Sequence, residues 1–288
     1  MNKLPAILLS SVLAGSAFAP AAGLMLDFGA TGVASPYETL SPGHDAGAFS
    51  GSETTWNTID SSAQRDDLFY SDGSAATGIT LVMGQESTVG SNVVNFATPI
   101  TNVALAGTGG GTAGFTGLLG TGSIYGDNTS STAAGRDGFF GSGNGTSLTT
   151  STAIGIRVDG LTAGDYRAYV MARNTNSNSG DRSMNIYTTT GSSAGTFDFG
   201  SLTPDLQQNP VYSSGTYAGE FTTFTAGQNF VAIDFTIGDG DSLFLSVDGA
   251  TSTELRGFLN MAQIVAVPEP AGALLGMIGL LGLLRRRR

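Results

Sequence analysis

The sequence contains no cysteine, one lysine (Lys3), one histidine (His44) and one tryptophan (Trp56). Without cysteine the chain can form neither disulfides nor cysteine-ligated metal sites. A single histidine is too few for a typical zinc site, and no G-x-S-x-G elbow accompanies it to complete a Ser-His-Asp triad. We therefore interpret His44 as a loop residue with local hydrogen bonds and predict no catalytic residue.

Charged residues are also scarce, at 12% of the chain against about 25% in an average domain. A chain this poor in Lys, Glu and Arg lacks the polar surface that helices normally carry. Glycine accounts for 43 of the 288 residues, while 40% of residues are hydrophobic. That hydrophobic share is enough to bury a core, which argues against disorder. The composition predicts an all-β protein with many turns.

The few charges are mostly negative. Residues 23–267 hold seven arginines against 22 acidic residues, a net charge of −15. A surface of this sign repels the phosphate backbone of nucleic acids. The charge balance therefore excludes nucleic acid as a partner.

The N-terminus has the pattern of a secretory signal peptide over residues 1–21. Lys3 supplies the positive charge, residues 4–13 form an apolar run, and Ala19-x-Ala21 offers small residues at the cleavage site. We expect an N-terminal signal helix, with the Sec translocon and signal peptidase as partners.

The C-terminus, residues 267–288, has three parts in a fixed order. Val267, Pro268, Glu269 and Pro270 come first, then an uncharged stretch at 271–284, and finally Arg285, Arg286, Arg287 and Arg288. Fourteen helical residues reach about 21 Å, short of a hydrocarbon core of roughly 30 Å, and arginines can snorkel to make up part of the difference. We expect a short transmembrane helix whose arginines stay in the cytoplasm.

This three-part order resembles the PEP-CTERM sorting tail of exported proteins in exopolysaccharide-producing Gram-negative bacteria. The resemblance implies that an exosortase recognises Pro268, Glu269 and Pro270, with residues 271–284 as a transient inner-membrane anchor and Arg285–Arg288 as the stop signal. It further implies delivery to the cell-envelope surface or the extracellular matrix. A plain tail anchor is the alternative, and neither reading specifies what the body of the protein does.

The body, residues 22–266, is interpreted as one antiparallel β-sandwich. Alternating apolar residues predict strands over 230–237 and 243–247, joined by a turn at 238–242, and further strands at 154–158 and 165–173. The glycine-rich stretch 107–114 and the region 127–145 are interpreted as long surface loops.

Several short stretches of the body resemble galactose-binding-like and carbohydrate-binding-module-like jelly rolls. These are Leu26-Asp-Phe-Gly29, Leu40-Ser-Pro-Gly-His44, Thr55-Trp-Asn57, Val158-Asp-Gly-Leu-Thr-Ala-Gly-Asp-Tyr-Arg167 and Phe258-Leu-Asn-Met-Ala-Gln-Ile-Val265. The resemblance implies a jelly-roll fold, whereas Met261 and Ala262 depart from the Gly-Phe pair frequent in such proteins.

Sugar-binding sandwiches combine aromatic platforms with polar side chains. One face of the strand at 165–173 presents Arg167, Tyr169 and Arg173, which we predict as a ligand surface, with Trp56 as a further platform candidate. The alternatives are that the arginines pair with nearby acids and that Trp56 belongs to the core.

Asp239 and Asp241 alternate with glycines in the turn at 238–242. Their oxygens could bind a structural Ca²⁺, but position 12 of an EF-hand loop would be Ala250. The alternative is a plain hairpin turn. No other cofactor is predicted.

Together these features predict an exported surface or matrix protein, non-catalytic, that binds polysaccharide or acts as a structural component of biofilm. Two carboxylates suffice for glycoside hydrolysis, so a hydrolase or polysaccharide lyase on the same sandwich stays an alternative. A purely structural surface protein is the third.

Overall fold

The computed structural model describes residues 22–30, 32–105, 122–126, 133–142, 152–175, 182–209 and 221–268. Within these ranges the regular secondary structure is almost entirely strand, and the one helix, α1 (Pro42–Asp45), has four residues. The predicted signal segment, residue Glu269 and everything after it lie outside the described residues. Among those described, no helix has the length and apolar character needed to cross a bilayer.

Two large sheets and one small sheet make up the body. The five-stranded sheet has the order β12 (Val231–Ile237), β8 (Gly164–Met171), β15 (Met261–Ala266), β1 (Leu24–Phe28) and β2 (Asn57–Ile59). The seven-stranded sheet has the order β10 (Thr196–Asp198), β4 (Val93–Asn95), β3 (Thr80–Glu86), β7 (Ile154–Asp159), β13 (Asp241–Gly249), β9 (Met184–Ser192) and β11 (Asp205–Gln207). The small sheet has the order β14 (Phe258–Leu259), β6 (Asp137–Phe140) and β5 (Asn102–Leu105).

The pairings between these strands are antiparallel, except that β1 and β2 run parallel. An inner core of aliphatic side chains from both large sheets fills the space between them. Leu26 on β1, Val170 on β8, Ile156 on β7 and Leu245 on β13 are all at most 1% exposed. The predicted all-β sandwich is confirmed at this level.

The predicted alternation holds on the inner faces. Ala168 and Val170 of β8 and Leu243 and Val247 of β13 all lie in the inner core. The alternation would leave the other face of β13 polar, but Phe244 on that face is buried in a mainly aromatic cluster on the outside of the seven-stranded sheet.

An outer cluster covers the outside of the five-stranded sheet. It consists of Met25, Phe49, Ile124, Tyr125, Ala134, Tyr169, Met171, Phe221, Phe230, Met261 and Val265. Segments far apart in sequence, around residues 49, 125 and 221, thus fold back over strands β1, β8 and β15. The stretch 127–145 was interpreted as a surface loop, and this is wrong in part, because β6 lies within it.

Candidate functional site

A groove runs along one end of the five-stranded sheet, where β8 begins and β12 ends. Two adjoining cavities of about 590 and 350 Å³ form it, and both are lined by Asp165, Tyr166 and Val267. The register pairs Tyr166 with Phe235 and Arg167 with Asp234. We call this region the Tyr166 groove; its key residues are Tyr70, Asp165, Tyr166, Arg167, Asp234 and Phe235.

An aromatic pair stands at the centre of the groove. The rings of Tyr166 and Phe235 are stacked, with centroids 5.7 Å apart and planes at 13°. The Tyr166 hydroxyl donates to the carbonyl of Thr162 at 2.9 Å, which fixes the ring. Burial, followed by the neighbouring Tyr70, raises the pKa of Tyr166. The phenol is therefore neutral and offers an apolar face together with a polar edge.

A bidentate ion pair lies one residue further along both strands, so its side chains project from the opposite face of the sheet to the aromatic pair. The Arg167 guanidinium donates to both carboxylate oxygens of Asp234, at 2.6 and 2.7 Å. The side chains are 43% and 64% exposed, so the pair lies at the solvent-facing rim. The hydrogen bond from Arg167 lowers the pKa of Asp234. Asp234 is thus ionised and held in place at neutral pH.

The carboxylate of Asp165, the second one in the groove, also forms a hydrogen bond. Asp165 accepts a hydrogen bond from the Thr236 hydroxyl at 2.6 Å. Its backbone carbonyl accepts from the Val267 amide at 2.8 Å, which ties the end of the body to β8. Asp234, with its lowered pKa, is not suited to act as a general acid.

The predicted ligand face of β8 is not one surface. Tyr169 is 4% exposed and belongs to the outer cluster, and Arg173 is 1% exposed. The Arg173 guanidinium lies 5.3 Å from the ring centroids of both Tyr125 and Phe221. Arg167 alone of the three lines the groove.

The other sequence candidates occupy different places. Trp56 is half-buried against the outer cluster and donates to the Glu38 carbonyl at 2.9 Å. His44 has the local hydrogen bonds that the sequence predicts: its Nδ1 lies 2.7 Å from the Ser41 hydroxyl, and its Nε2 lies 2.8 Å from the Glu53 carbonyl. A carbonyl can only accept, so Nε2 carries the proton and Nδ1 accepts. Burial lowers the pKa of His44, which favours this neutral form.

The hairpin between β12 and β13 holds Asp239 and Asp241. The Asp241 amide donates to the Gly238 carbonyl at 3.1 Å, and Gly240 has a φ of +77°, as tight hairpin turns require. Among the described residues, no group of three acidic, histidine or cysteine side chains comes together. The structure therefore shows a turn here, with two carboxylates and no further charged ligand.

The alternation in β8 and β12 gives no sign of the groove at Tyr166 and Phe235. Both residues belong to the inward-facing stripes of their strands and pack partly against the inner core. They reach solvent because they lie where the sandwich ends, a position that alternation cannot reveal. The two rings stack because Tyr166 and Phe235 are register partners in the pairing of β8 and β12.

No family model matches this chain, and no curated protein matches it. Among solved structures, the chain is similar to a family GH115 4-O-methyl-α-glucuronidase at 10% identity and a TM-score of 0.27, over 47% of this chain and 17% of that one. It is similar to Xyl-CBM35 in complex with a glucuronic acid containing disaccharide at 13% identity and a TM-score of 0.25, over 65% and 94% of the two chains. A third similarity is to the CBM22-1-GH10 modules of Clostridium thermocellum endo-1,4-β-D-xylanase 10B, at 11% identity and a TM-score of 0.22, over 47% and 26%. At these TM-scores the likenesses carry no argument about this chain.

Proposed function

We propose that this protein is an exported, non-catalytic surface or matrix component that binds polysaccharide in the Tyr166 groove. The observation that carries the proposal is the stacked Tyr166–Phe235 pair at the end of the sandwich, with Tyr166 lining both adjoining cavities. The Arg167–Asp234 ion pair lines the second cavity. Sugar C–H faces pack on aromatic rings, while fixed polar groups at the rim bind hydroxyls. The resemblance of the body to carbohydrate-binding jelly rolls, described from the sequence, is part of the same proposal.

The charge of the body narrows the polysaccharide class. A net charge of −15 over residues 23–267 repels polyanions. Arg167 offers little compensation, because Asp234 already neutralises it. The groove therefore suits neutral polysaccharides better than uronic-acid polymers.

The state of the carboxylates favours binding over hydrolysis. Glycosidases need one carboxyl group kept protonated as general acid beside a second that stays ionised. In the groove, Asp234 has a lowered pKa and Asp165 is hydrogen-bonded to Thr236. The ionised Asp234 is a fixed acceptor for sugar hydroxyls and does not donate a proton to a leaving group.

Sorting by a PEP-CTERM tail is part of the proposal. Its support is the sequence order of Val267-Pro268-Glu269-Pro270, apolar stretch and Arg285–Arg288, matched by an N-terminal signal pattern. The proposed partners are the Sec translocon, signal peptidase and an exosortase, with the inner membrane holding the precursor transiently.

Deletion of residues 268–288 tests the sorting proposal. The truncated protein is expected in the periplasm or medium without passing through a membrane-bound precursor, because the proposed anchor is gone. Cell fractionation with immunoblotting measures this. A second variant, with Gln in place of Arg285–Arg288, makes a smaller change to the same tail. Identical fractionation of the full and truncated chains would refute tail-dependent sorting.

A polysaccharide screen tests the binding proposal. The full-length chain in mild non-ionic detergent is expected to bind one or more neutral polymers, such as xylan, β-glucan or galactomannan, more tightly than alginate or pectate. The screen is run with affinity electrophoresis. Saturable binding to polyanions alone would contradict the predicted preference, and a blank across all polymers would favour a purely structural surface protein.

The purely structural alternative rests on one observation of its own. The outer cluster covers the face of β8 that the sequence offered as a ligand surface, which leaves Tyr169 and Arg173 buried. The Tyr166 groove, by contrast, keeps an aromatic side chain at an open cavity.

A further inference from the structure

The wall of the Tyr166 groove contains the first residue of the body. Ala22 lines the larger cavity, of about 590 Å³, together with Asp165, Tyr166 and Val267. Ala22 is half-buried, so part of it reaches solvent. An alanine is so small that none of its heavy atoms is more than about 4 Å from its own nitrogen. The nitrogen of Ala22 therefore lies at the cavity.

The backbone that follows Ala22 is held in place. The Gly23 carbonyl accepts from the Ser71 amide at 2.8 Å, and β1 begins one residue later with Leu24 paired to Ile264. A Cβ atom on Gly23 would lie 2.6 Å from the Ile264 carbonyl oxygen, which shows how closely the chain passes β15 here. Successive Cα atoms are about 3.8 Å apart, so Ala22 stays beside the groove.

The predicted signal cleavage makes Ala22 the first residue of the exported chain. Ala19-x-Ala21 places small residues at the cleavage site, so signal peptidase is expected to cut after Ala21. The Ala22 nitrogen is an uncharged amide in the precursor. After cleavage it becomes a free α-amino group, which is mostly protonated at neutral pH. Export thus adds a positive charge and three N–H donors at the groove.

The larger cavity has no other cationic group among the described residues that line it. Its one carboxylate, that of Asp165, accepts from the Thr236 hydroxyl at 2.6 Å. Arg167 lines the smaller cavity, where Asp234 already neutralises it. The α-ammonium of Ala22 therefore supplies a charged donor that the side chains of the larger cavity lack.

The same amino group is chemically unique in the exported chain. Lys3 is the only lysine of the sequence, and it belongs to the predicted signal segment. Once that segment is removed, no side chain carries a primary amine, and the α-amino group of Ala22 is the only one left. An amine-directed reagent can therefore modify the protein at the groove alone.

We propose that signal cleavage completes the Tyr166 groove, because the α-ammonium of Ala22 donates hydrogen bonds to hydroxyl oxygens of the polysaccharide that packs against Tyr166. This inference rests on the proposed function. The aromatic ring provides the apolar contact, and the ammonium and Asp165 provide a donor and an acceptor. The precursor lacks this donor, and its chain continues from the cavity wall into the signal segment, so it binds polysaccharide more weakly than the exported form.

Selective acetylation of the exported protein tests the inference. The full chain is produced with its own signal and purified in mild detergent, and intact mass establishes its first residue. N-hydroxysuccinimide acetate at neutral pH acetylates the amine, and hydroxylamine then removes any acetyl group from tyrosine. One acetyl group per chain is expected. The affinity for the best neutral polymer of the screen should fall at least about 10-fold, as loss of a hydrogen bond from a charged donor does.

Protection of the amine locates it relative to the bound polymer. Saturating polymer should slow the acetylation of the unmodified chain, because the polymer covers the Ala22 nitrogen. In Tyr166→Ala the polymer should no longer slow it. Circular dichroism before and after acetylation shows whether the fold is kept.

An insertion provides the matched control. With Gly-Ser-Gly-Ser placed between Ala21 and Ala22, cleavage leaves the amine as far as about 14 Å from Ala22. This chain should bind more weakly than the unmodified one, and its acetylation should not change the affinity further.

Several results would overturn the inference. Unchanged affinity after acetylation, with binding that still depends on Tyr166, would keep the groove as the binding site and remove the amine from it. Acetylation at the same rate with and without polymer would lead to the same conclusion, and an exported chain that begins at another residue would place the amine elsewhere. If the unmodified chain binds no polymer at all, the proposed function itself is refuted, and this inference with it.

Discussion

At the residue scale, the buried acids deviate most from ordinary behaviour. Burial raises the pKa of Asp27 on β1 well above its ordinary value. Burial also raises the pKa of Asp248 on β13 to about 7, and the neighbouring Glu86 adds to the rise. The Gly249 amide opposes the shift by donating to Asp248 at 2.9 Å. Glu86 itself accepts from the amides of Asn92 and Ala153 and so holds the turn before β4.

The raised pKa of Asp248 predicts a loss of stability with rising pH. The unfolded chain releases this proton near pH 4, whereas the folded chain keeps it until about pH 7. Between these values the folded state binds more protons, so the free energy of unfolding falls as pH rises. The total loss is on the order of 4 kcal/mol, and it is complete about one pH unit above the folded-state pKa of Asp248.

Asp248→Asn should remove this loss. The difference in Tm between the variant and the unmodified protein is expected to widen from pH 4.5 to pH 8, in favour of the variant. Asp239→Asn, at an exposed position, is the control and should show a difference that does not change with pH. A Tm difference between Asp248→Asn and the unmodified protein that does not change with pH would contradict the raised pKa of Asp248.

Individual residues also show which features could be predicted from the sequence and which could not. The alternation in β8 correctly placed Ala168, Val170 and Ala172 in the core. It could not show that Tyr169 and Arg173 are covered, because Tyr125 and Phe221 reach them from distant segments.

At the element scale, strands with regular alternation were predictable and short ones were not. The hairpin of β12 and β13 follows from alternation and a Gly-Asp-Gly turn. Strand β6, with four residues of which one is Gly138, has no alternation to detect, and it forms only because β5 and β14 pair with it. Pairings of this kind are decided by long-range contacts rather than by local preference.

Two glycines in strands differ in how closely another part of the chain approaches them. In β3, a Cβ on Gly84 would lie 2.4 Å from the Asn95 carbonyl oxygen and 2.7 Å from the Phe96 Cα. Both are backbone atoms, so no side chain can rotate away. In β9, a Cβ on Gly191 would meet nothing within 4 Å.

The two glycines give a matched pair of variants. Gly84→Ala is expected to lower the free energy of unfolding by about 1–3 kcal/mol, because β3 and the chain after β4 must move apart. Gly191→Ala should stay within about 0.5 kcal/mol of the unmodified protein. Denaturant unfolding measures both, and equal stabilities would show that the approach at Gly84 is not tight.

At the scale of the whole molecule, the body is a negatively charged sandwich, and the Tyr166 groove lies beside its last described strand, β15. Val267 lines that groove and is 39% exposed, and it marks the junction with the proposed sorting tail. The composition and alternation were enough to predict the all-β sandwich. The position of the groove was not predictable, because it depends on where two strands end in space.

The central claim is that the Tyr166–Phe235 pair binds polysaccharide, and an equilibrium titration of matched variants tests it most directly. The unmodified chain, Tyr166→Ala, Phe235→Ala and the control Leu206→Ala, an exposed apolar residue on β11, are titrated with the best neutral polymer from the screen. We predict that each aromatic variant weakens binding at least about 10-fold, consistent with 1.4 kcal/mol per decade, and that Leu206→Ala binds as the unmodified chain does. Unchanged affinity in both aromatic variants, with their folds intact by circular dichroism, would contradict the account.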